Sequence, residues 1–386
     1  MAHSRKARSA HGTGLCLMIL ILGMWSWAGQ IIENPKKPPG PTAGRVISLK
    51  EVQRIGDESG KFFFVDPFGV FAGRDGSIYV QEFKQFLKFD ARGRYVGNLL
   101  KKGEGPGEIN DNLTDVIVGD NDILLYSSNS LKLVRIGPDG RLLEDRRFSQ
   151  GLFGDLLGYR AGRYFFLRFE REEFPRISGI GENKFRLFIV PEKGDIIPTS
   201  VLMLKTVARQ FGPRGSSSNS ISRLTPLWVD DRFVFLFHSP DYLIKLLDLE
   251  TGEIVRSFRR EYDRVRYDIK PPKGYPEELI PKYHNDLCRL LWRNDRLWAV
   301  TSTFDATKGI LVDVFSREGK YLDNFYLPLF KIRRNNPQYY APMAIHGDSL
   351  YLLEADENDL ISLVKYEIGN VDGPGLPSSG EKTKRW

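Results

Sequence analysis

The chain has 386 residues, 41% of them hydrophobic, and its 56 Lys and Arg outweigh 49 Asp and Glu for a formal net charge of +7. Such a composition belongs to a folded body rather than a disordered chain, and two cysteines, Cys16 and Cys288, exclude a disulfide-rich scaffold. The basic excess is small and interleaved with acids, unlike the concentrated basic face of a nucleic-acid binder, so no nucleic-acid partner is expected.

Arg5, Lys6 and Arg8 precede an apolar run over residues 15–27 that ends in Ser26-Trp27-Ala28. This is the three-part layout of a secretory signal peptide. The run is short of the roughly twenty residues that span a bilayer. Residues 1–28 therefore read as a cleaved signal, with export to the periplasm or the extracellular space; the alternative is an N-terminal membrane anchor, the one route by which a membrane enters. Cleavage removes three basic and no acidic residues and takes the charge from +7 to +4. Cys288 remains, in Leu287-Cys288-Arg289-Leu290-Leu291. That setting reads as buried strand, and despite His284 four residues earlier, a free Cys there packs as a small hydrophobe.

Residues 29–44 contain Pro35-Lys36-Lys37-Pro38-Pro39-Gly40-Pro41, which has no apolar face and reads as an extended linker. The body covers residues 45–369. The tail, 370–386, with Gly373-Pro374-Gly375 and Pro377-Ser378-Ser379-Gly380, is expected to be disordered.

Two hairpin types repeat through the body. The first runs from Val70-Phe71-Ala72 through Asp75-Gly76 to Ile78-Tyr79-Val80, with counterparts turning at Asn121-Asp122, Ala161-Gly162, Asp230-Asp231, Asn294-Asp295 and Gly347-Asp348. These are the Asx and Gly turns of short β-hairpins. The second runs from Phe86 to Val96 and turns at Gly93, with copies at Gly140, Gly194, Gly252 and Gly319. Six inner hairpins alternating with five outer ones describe an all-β, six-bladed β-propeller with four-stranded blades, the last lacking its outermost strand. Residues 45–55 resemble an outer strand and are predicted to pair with the blade at 342–367. That pairing closes the ring and removes free sheet edges.

The segment from Phe68 to Glu108 resembles the exported bacterial six-bladed propellers related to NHL repeats. Gly76-Ser77-Ile78-Tyr79-Val80, Phe89-Asp90-Ala91-Arg92-Gly93 and Gly103-Glu104-Gly105-Pro106-Gly107-Glu108 follow in that family's order, with Gln81-Glu82 where the pattern usually has Asp. The resemblance implies the fold and adds almost nothing about chemistry.

The glycine-rich stretch 103–108 lacks the Lys-Ser/Thr ending of a P-loop and reads as a blade-to-blade connection. The central channel is expected near Phe68, Asp115, Asp155, Thr225, Asp286 and Tyr339, where three aspartates are too few for a hard-cation cage. His238, His284 and His346 do not pair at zinc spacing, and no Gly-x-Ser-x-Gly elbow occurs. Asp356-Glu357-Asn358-Asp359 reads as a solvated turn and Ser216-Ser217-Ser218 as flexible loop. No catalytic residue, metal or other cofactor is expected. The reading is a non-enzymatic binding or scaffolding propeller of the cell envelope or extracellular space; a channel-site metal-dependent hydrolase or lyase is the alternative.

Long irregular segments at 170–184, 205–222, 263–284, 302–308 and 330–338 fall on one rim, where loops on a rigid scaffold carry function. The second has Lys205, Arg209 and Arg214 and the last has Lys331, Arg333 and Arg334, both without an acid. Arg209, Arg214, Arg333 and Arg334 are the candidate ligand-binding residues, facing an anionic glycan, lipid headgroup or acidic protein.

Overall fold

The computed structural model describes residues 31–56, 60–148, 154–170, 179–193, 195–211, 215–220, 224–238, 241–267, 282–330 and 342–369. The predicted signal and the C-terminal tail lie outside them.

Six sheets, each built on four antiparallel strands in chain order from the channel outwards, stand in a ring. Blade one is Gly69–Ala72, Ile78–Gln81, Phe86–Phe89 and Tyr95–Asn98, and blade two is Asp115–Val118, Ile123–Ser127, Lys132–Ile136 and Leu142–Arg147. Blade three is Asp155–Arg160, Arg163–Phe169, Gly179–Pro191 and Ile197–Phe211, and blade four is Leu224–Trp228, Phe233–His238, Leu243–Asp248 and Glu253–Arg260. Blade five is Leu287–Arg293, Arg296–Asp305, Gly309–Ser316 and Tyr321–Leu327, and blade six is Met343–His346, Ser349–Ala355, Ile361–Ile368 and, from the other end of the chain, Leu49–Ile55.

The six inner hairpins turn where the sequence places them. At Ala161-Gly162 and Asn294-Asp295 both turn residues have positive φ, between Arg160↔Arg163 and Arg293↔Arg296 pairs. Two left-handed residues in a two-residue loop match the right-handed twist of the strands they join. Gly93, Gly140, Gly252 and Gly319 of the outer turns also have positive φ. The apolar core is divided into six clusters, one at each seam between neighbouring blades. The seam joining blade six to blade one, with Tyr351, Leu353 and Leu363 against Val70, Val80 and Phe89, is as dry as the others.

Ring closure occurs through Leu49–Ile55, which pairs antiparallel with Ile361–Ile368 from Ile55↔Leu363 to Leu49↔Ile368. The closing strand is shorter than the predicted 45–55, because Arg45–Val46 pairs instead, in parallel, with Phe325 and Tyr326 of blade five. Upstream, Ile31–Asn34 pairs in parallel with 257–260 of blade four. Asn34 fastens this strand, donating from Nδ2 to Gly319 O at 2.9 Å and accepting from Tyr321 N at 2.9 Å. Arg45 pairs with Asp323 at 2.8 Å. The stretch predicted as an extended linker thus begins as a paired strand, because open outer edges of blades offer backbone partners that composition does not reveal. The N-terminal segment clips blades four, five and six in turn.

Blades four and five thereby carry a fifth strand where four were expected, and blade three carries one as well. In blade three that strand is Gly215–Ser220, which folds back on Ile197–Phe211 from Phe211↔Gly215 to Thr206↔Ser220. The 13 residues of Gly179–Pro191 and 15 of Ile197–Phe211 run past the end of their neighbour at Phe169. Strands average about 5–6 residues, so this blade projects beyond the rim.

Candidate functional site

Five of the six innermost strands enclose a central cavity of about 260 Å³, lined by residues 70–72, 116–118, 225–228, 289–292 and 343–345. Blade three is screened from it by Trp228, whose indole lies against Gly158. A Cβ at Gly158 would stand 3.2 Å from Trp228 Cζ2, so glycine is what admits the ring. Trp228 Nε1 is buried there without a hydrogen-bond partner. Apart from Thr225 and Arg289 the lining side chains are apolar, and Val70, Leu291 and Met343 among them are almost completely buried.

Arg289 is the one ionisable side chain among the described lining residues. Its guanidinium reaches from blade five to blade one, where Nη2 donates to Val70 O at 3.2 Å. Arg289 makes no other hydrogen bond and no ion pair among the described residues, although a guanidinium has five N–H donors. Burial pulls its pKa down to about 10. Arg289 is half-buried, and its remaining donors, which are not among the buried unpartnered atoms, are open to the channel.

A second polar cluster lies between blades four and five. Asp286, 4% exposed, accepts from Arg264 Nε at 3.0 Å. Burial pushes the Asp286 carboxyl up to about 6, against the pull of Arg264. Tyr262 OH shares hydrogen bonds with Ser302 Oγ at 3.0 Å and Thr303 Oγ1 at 2.8 Å. Cys288 packs against the core between blades five and six, and burial drives its thiol well above the ordinary range.

Of the predicted channel positions, Thr225 lines the cavity, whereas Phe68, Asp115 and Asp286 lie one to three residues before the lining segments. Asp155 belongs to the blade that contributes no lining residue, and Tyr339 lies outside the described residues. The start of an inner strand sits at the mouth; the wall is made by its middle. Asp115 is used between blades, accepting from Leu156 N at 3.2 Å. No group of three or more His, Cys, Asp or Glu gathers at metal-binding distance among the described residues.

Arg214, Arg333 and Arg334 lie outside the described residues, and Arg209 is in a paired strand, opposite Ser217. Parts of the expected loops at 205–222, 170–184 and 302–308 are strand: 206–211 and 215–220 pair with each other, 179–184 extends blade three, and 302–305 completes Arg296–Asp305. Backbone pairing between long neighbours overrides the loop-like composition of Ser216-Ser217-Ser218. The glycine-rich connection closes on itself, Gly105 N donating to Glu108 Oε2 at 2.9 Å and Lys132 Nζ to Gly105 O at 2.8 Å. Asp356 Oδ1 accepts from Asn358 N and Leu360 N at 2.8 and 2.9 Å, a self-contained turn. Sequence reasoning missed Arg289. Its one signal was a charge inside the apolar run 287–292.

No protein-family model matches the sequence, and no curated protein matches it. Solved structures match in shape. A protein of Bacteroides fragilis described as exported aligns at 12% sequence identity and a TM-score of 0.52, over 88% of this chain and 100% of that one. A DUF4221-family member from Bacteroides vulgatus aligns at 12% identity and a TM-score of 0.49, over 85% of this chain and 100% of that one. At such identities the likeness is one of fold, and it agrees with the topology: this chain is a closed, six-bladed β-propeller that shares its fold with the Bacteroides fragilis protein.

Proposed function

We propose that this chain is an exported, non-enzymatic binding propeller whose ligand is anionic. One observation carries the reading: Arg289 lines the channel with Val70 O as its hydrogen-bond acceptor and, among the described residues, no carboxylate against it. A cavity lined by apolar groups with few placed polar ones is the usual form of a small-molecule site. An incoming anion would satisfy the remaining guanidinium donors. Export is supported by the signal-like layout of residues 1–28 and by the description of the Bacteroides fragilis protein. In this reading Arg209, Arg214, Arg333 and Arg334 extend the anion preference beyond the channel.

The test compares the mature protein with Arg289→Gln and with a variant carrying Ser at 209, 214, 333 and 334. Retention on anionic glycan and lipid arrays and calorimetric titration with small anions are measured for each. The reading expects anion binding by the unchanged chain, weakened by Arg289→Gln for small anions and by the four-site variant for arrayed ones. Equal binding in all three proteins, or none in any, contradicts it.

A further inference from the structure

Resting on the reading of the channel as an anion site, we propose that its ligand is an amphiphilic monocarboxylate, with the carboxylate seated on Arg289 and an aliphatic or aryl body filling the apolar channel. Three observations lead there. The first is charge: among the described lining residues a single cation faces the cavity, which suits one negative charge and leaves a phosphate dianion half-compensated. The second is geometry, since Nη2 is engaged with Val70 O at 3.2 Å and, among the described residues, the other guanidinium donors bond no protein atom. A guanidinium fork matches the two oxygens of a carboxylate. The third is the wall. Apart from Thr225 and Arg289, the described lining residues carry apolar side chains, and the cavity they surround measures about 260 Å³. A cavity of about 150 Å³ is enough to hold benzene, so this one has room for a longer chain or a substituted ring.

The same observations fit a strut, in which Arg289 only ties blade five to blade one. Binding separates the two roles. The mature chain is titrated with sodium alkanoates from acetate to dodecanoate, with the matching alkanols, with phenylpropanoate, and with sulfate and phosphate. Calorimetry and tryptophan fluorescence, to which Trp228 and Trp292 contribute, follow each titration. One alkanoate is expected per chain, its affinity rising with chain length until the cavity is full, and exceeding that of the matching alkanol by roughly tenfold, as a charge-assisted hydrogen bond supplies.

Arg289→Met is expected to remove that preference while leaving alkanol binding intact. Ala72→Phe, which narrows the channel with Arg289 untouched, is expected to weaken octanoate far more than acetate; it also serves if Arg289→Met does not fold. Equal affinity for alkanoate and alkanol, or no dependence on chain length, overturns the proposal. Sulfate or phosphate binding that needs Arg289 but gains nothing from an apolar body overturns it while preserving the broader anion reading. No anion bound by the unchanged protein overturns both.

Discussion

Arg260 and Asp313 form a buried ion pair across the seam between blades four and five, Nε to Oδ2 at 2.7 Å, with the two residues 6% and 0% exposed. Tyr242 OH and Tyr321 OH donate to the same carboxylate at 2.6 and 2.7 Å. The guanidinium lies 5.0–5.4 Å from the ring centres of Tyr242, Tyr262 and Tyr321. Every acceptor oxygen of Asp313 is used, and the cation is enclosed by π faces. Asp313→Ala would strand Arg260 without a counter-charge, and urea denaturation should show a loss of about 3–5 kcal/mol. The double change Arg260→Met with Asp313→Leu should recover much of it. A loss below about 1 kcal/mol for Asp313→Ala would mean that the seam relaxes to admit water.

Ring closure is latched by charge as well as by strand pairing. Arg54 Nη2 meets Glu354 Oε2 at 2.8 Å, and Tyr366 OH donates to Glu354 Oε1 at 2.6 Å. Deleting residues 29–56 should lower the melting temperature sharply or cause aggregation, since it opens an edge of blade six and removes the clips on blades four and five. Deleting 29–48 keeps Leu49–Ile55 and should cost less. A 29–56 deletion that melts like the mature chain would show that closure does not hold the ring.

The Asp286 carboxyl supplies a pH signature. Burial raises it to about 6, whereas an unfolded Asp titrates near 3.9. Between these values the folded chain holds the extra proton, so this group's contribution is complete below about pH 4 and is lost as pH rises through about 6, on the order of 3 kcal/mol in all. Asp90, held low by the Arg94 backbone N–H and guanidinium, acts in the opposite direction as pH falls. The stability difference between the unchanged chain and Asp286→Asn should therefore shift against the unchanged chain from pH 4 to 7. A flat difference would show that Asp286 titrates normally.

Cys288 should react slowly with a disulfide reagent at pH 8 in the folded protein and fast in urea, because burial keeps the thiol protonated. Equal rates in both states would place it at the surface.

The fold was largely legible because propeller blades announce themselves through turns. Asn294-Asp295 sits where two left-handed residues are required, and few residue types besides Gly, Asn and Asp do that cheaply. The closing strand was legible for a similar reason, its alternation matching an outer strand. What composition hid were pairings made by backbone alone. Gly215–Ser220 has no apolar alternation, yet it pairs because Ile197–Phe211 extends beside it, and Ile31–Asn34 pairs because blade four has an open edge. The channel wall was misplaced by one to three residues at Phe68, Asp115 and Asp286, since register along the axis depends on how blades stack. Arg289 was legible only as an oddity in a hydrophobic run, its meaning resting on its place in a channel that sequence does not show.

The most direct test of an anion seated on Arg289 is anomalous diffraction from crystals of the mature protein grown with 4-bromobenzoate. The account predicts a bromine peak inside the ring, among residues 116–118, 225–228 and 343–345, with the carboxylate against the Arg289 guanidinium. A bromine peak confined to the outer surface, or a channel with no peak at saturating ligand, would contradict it.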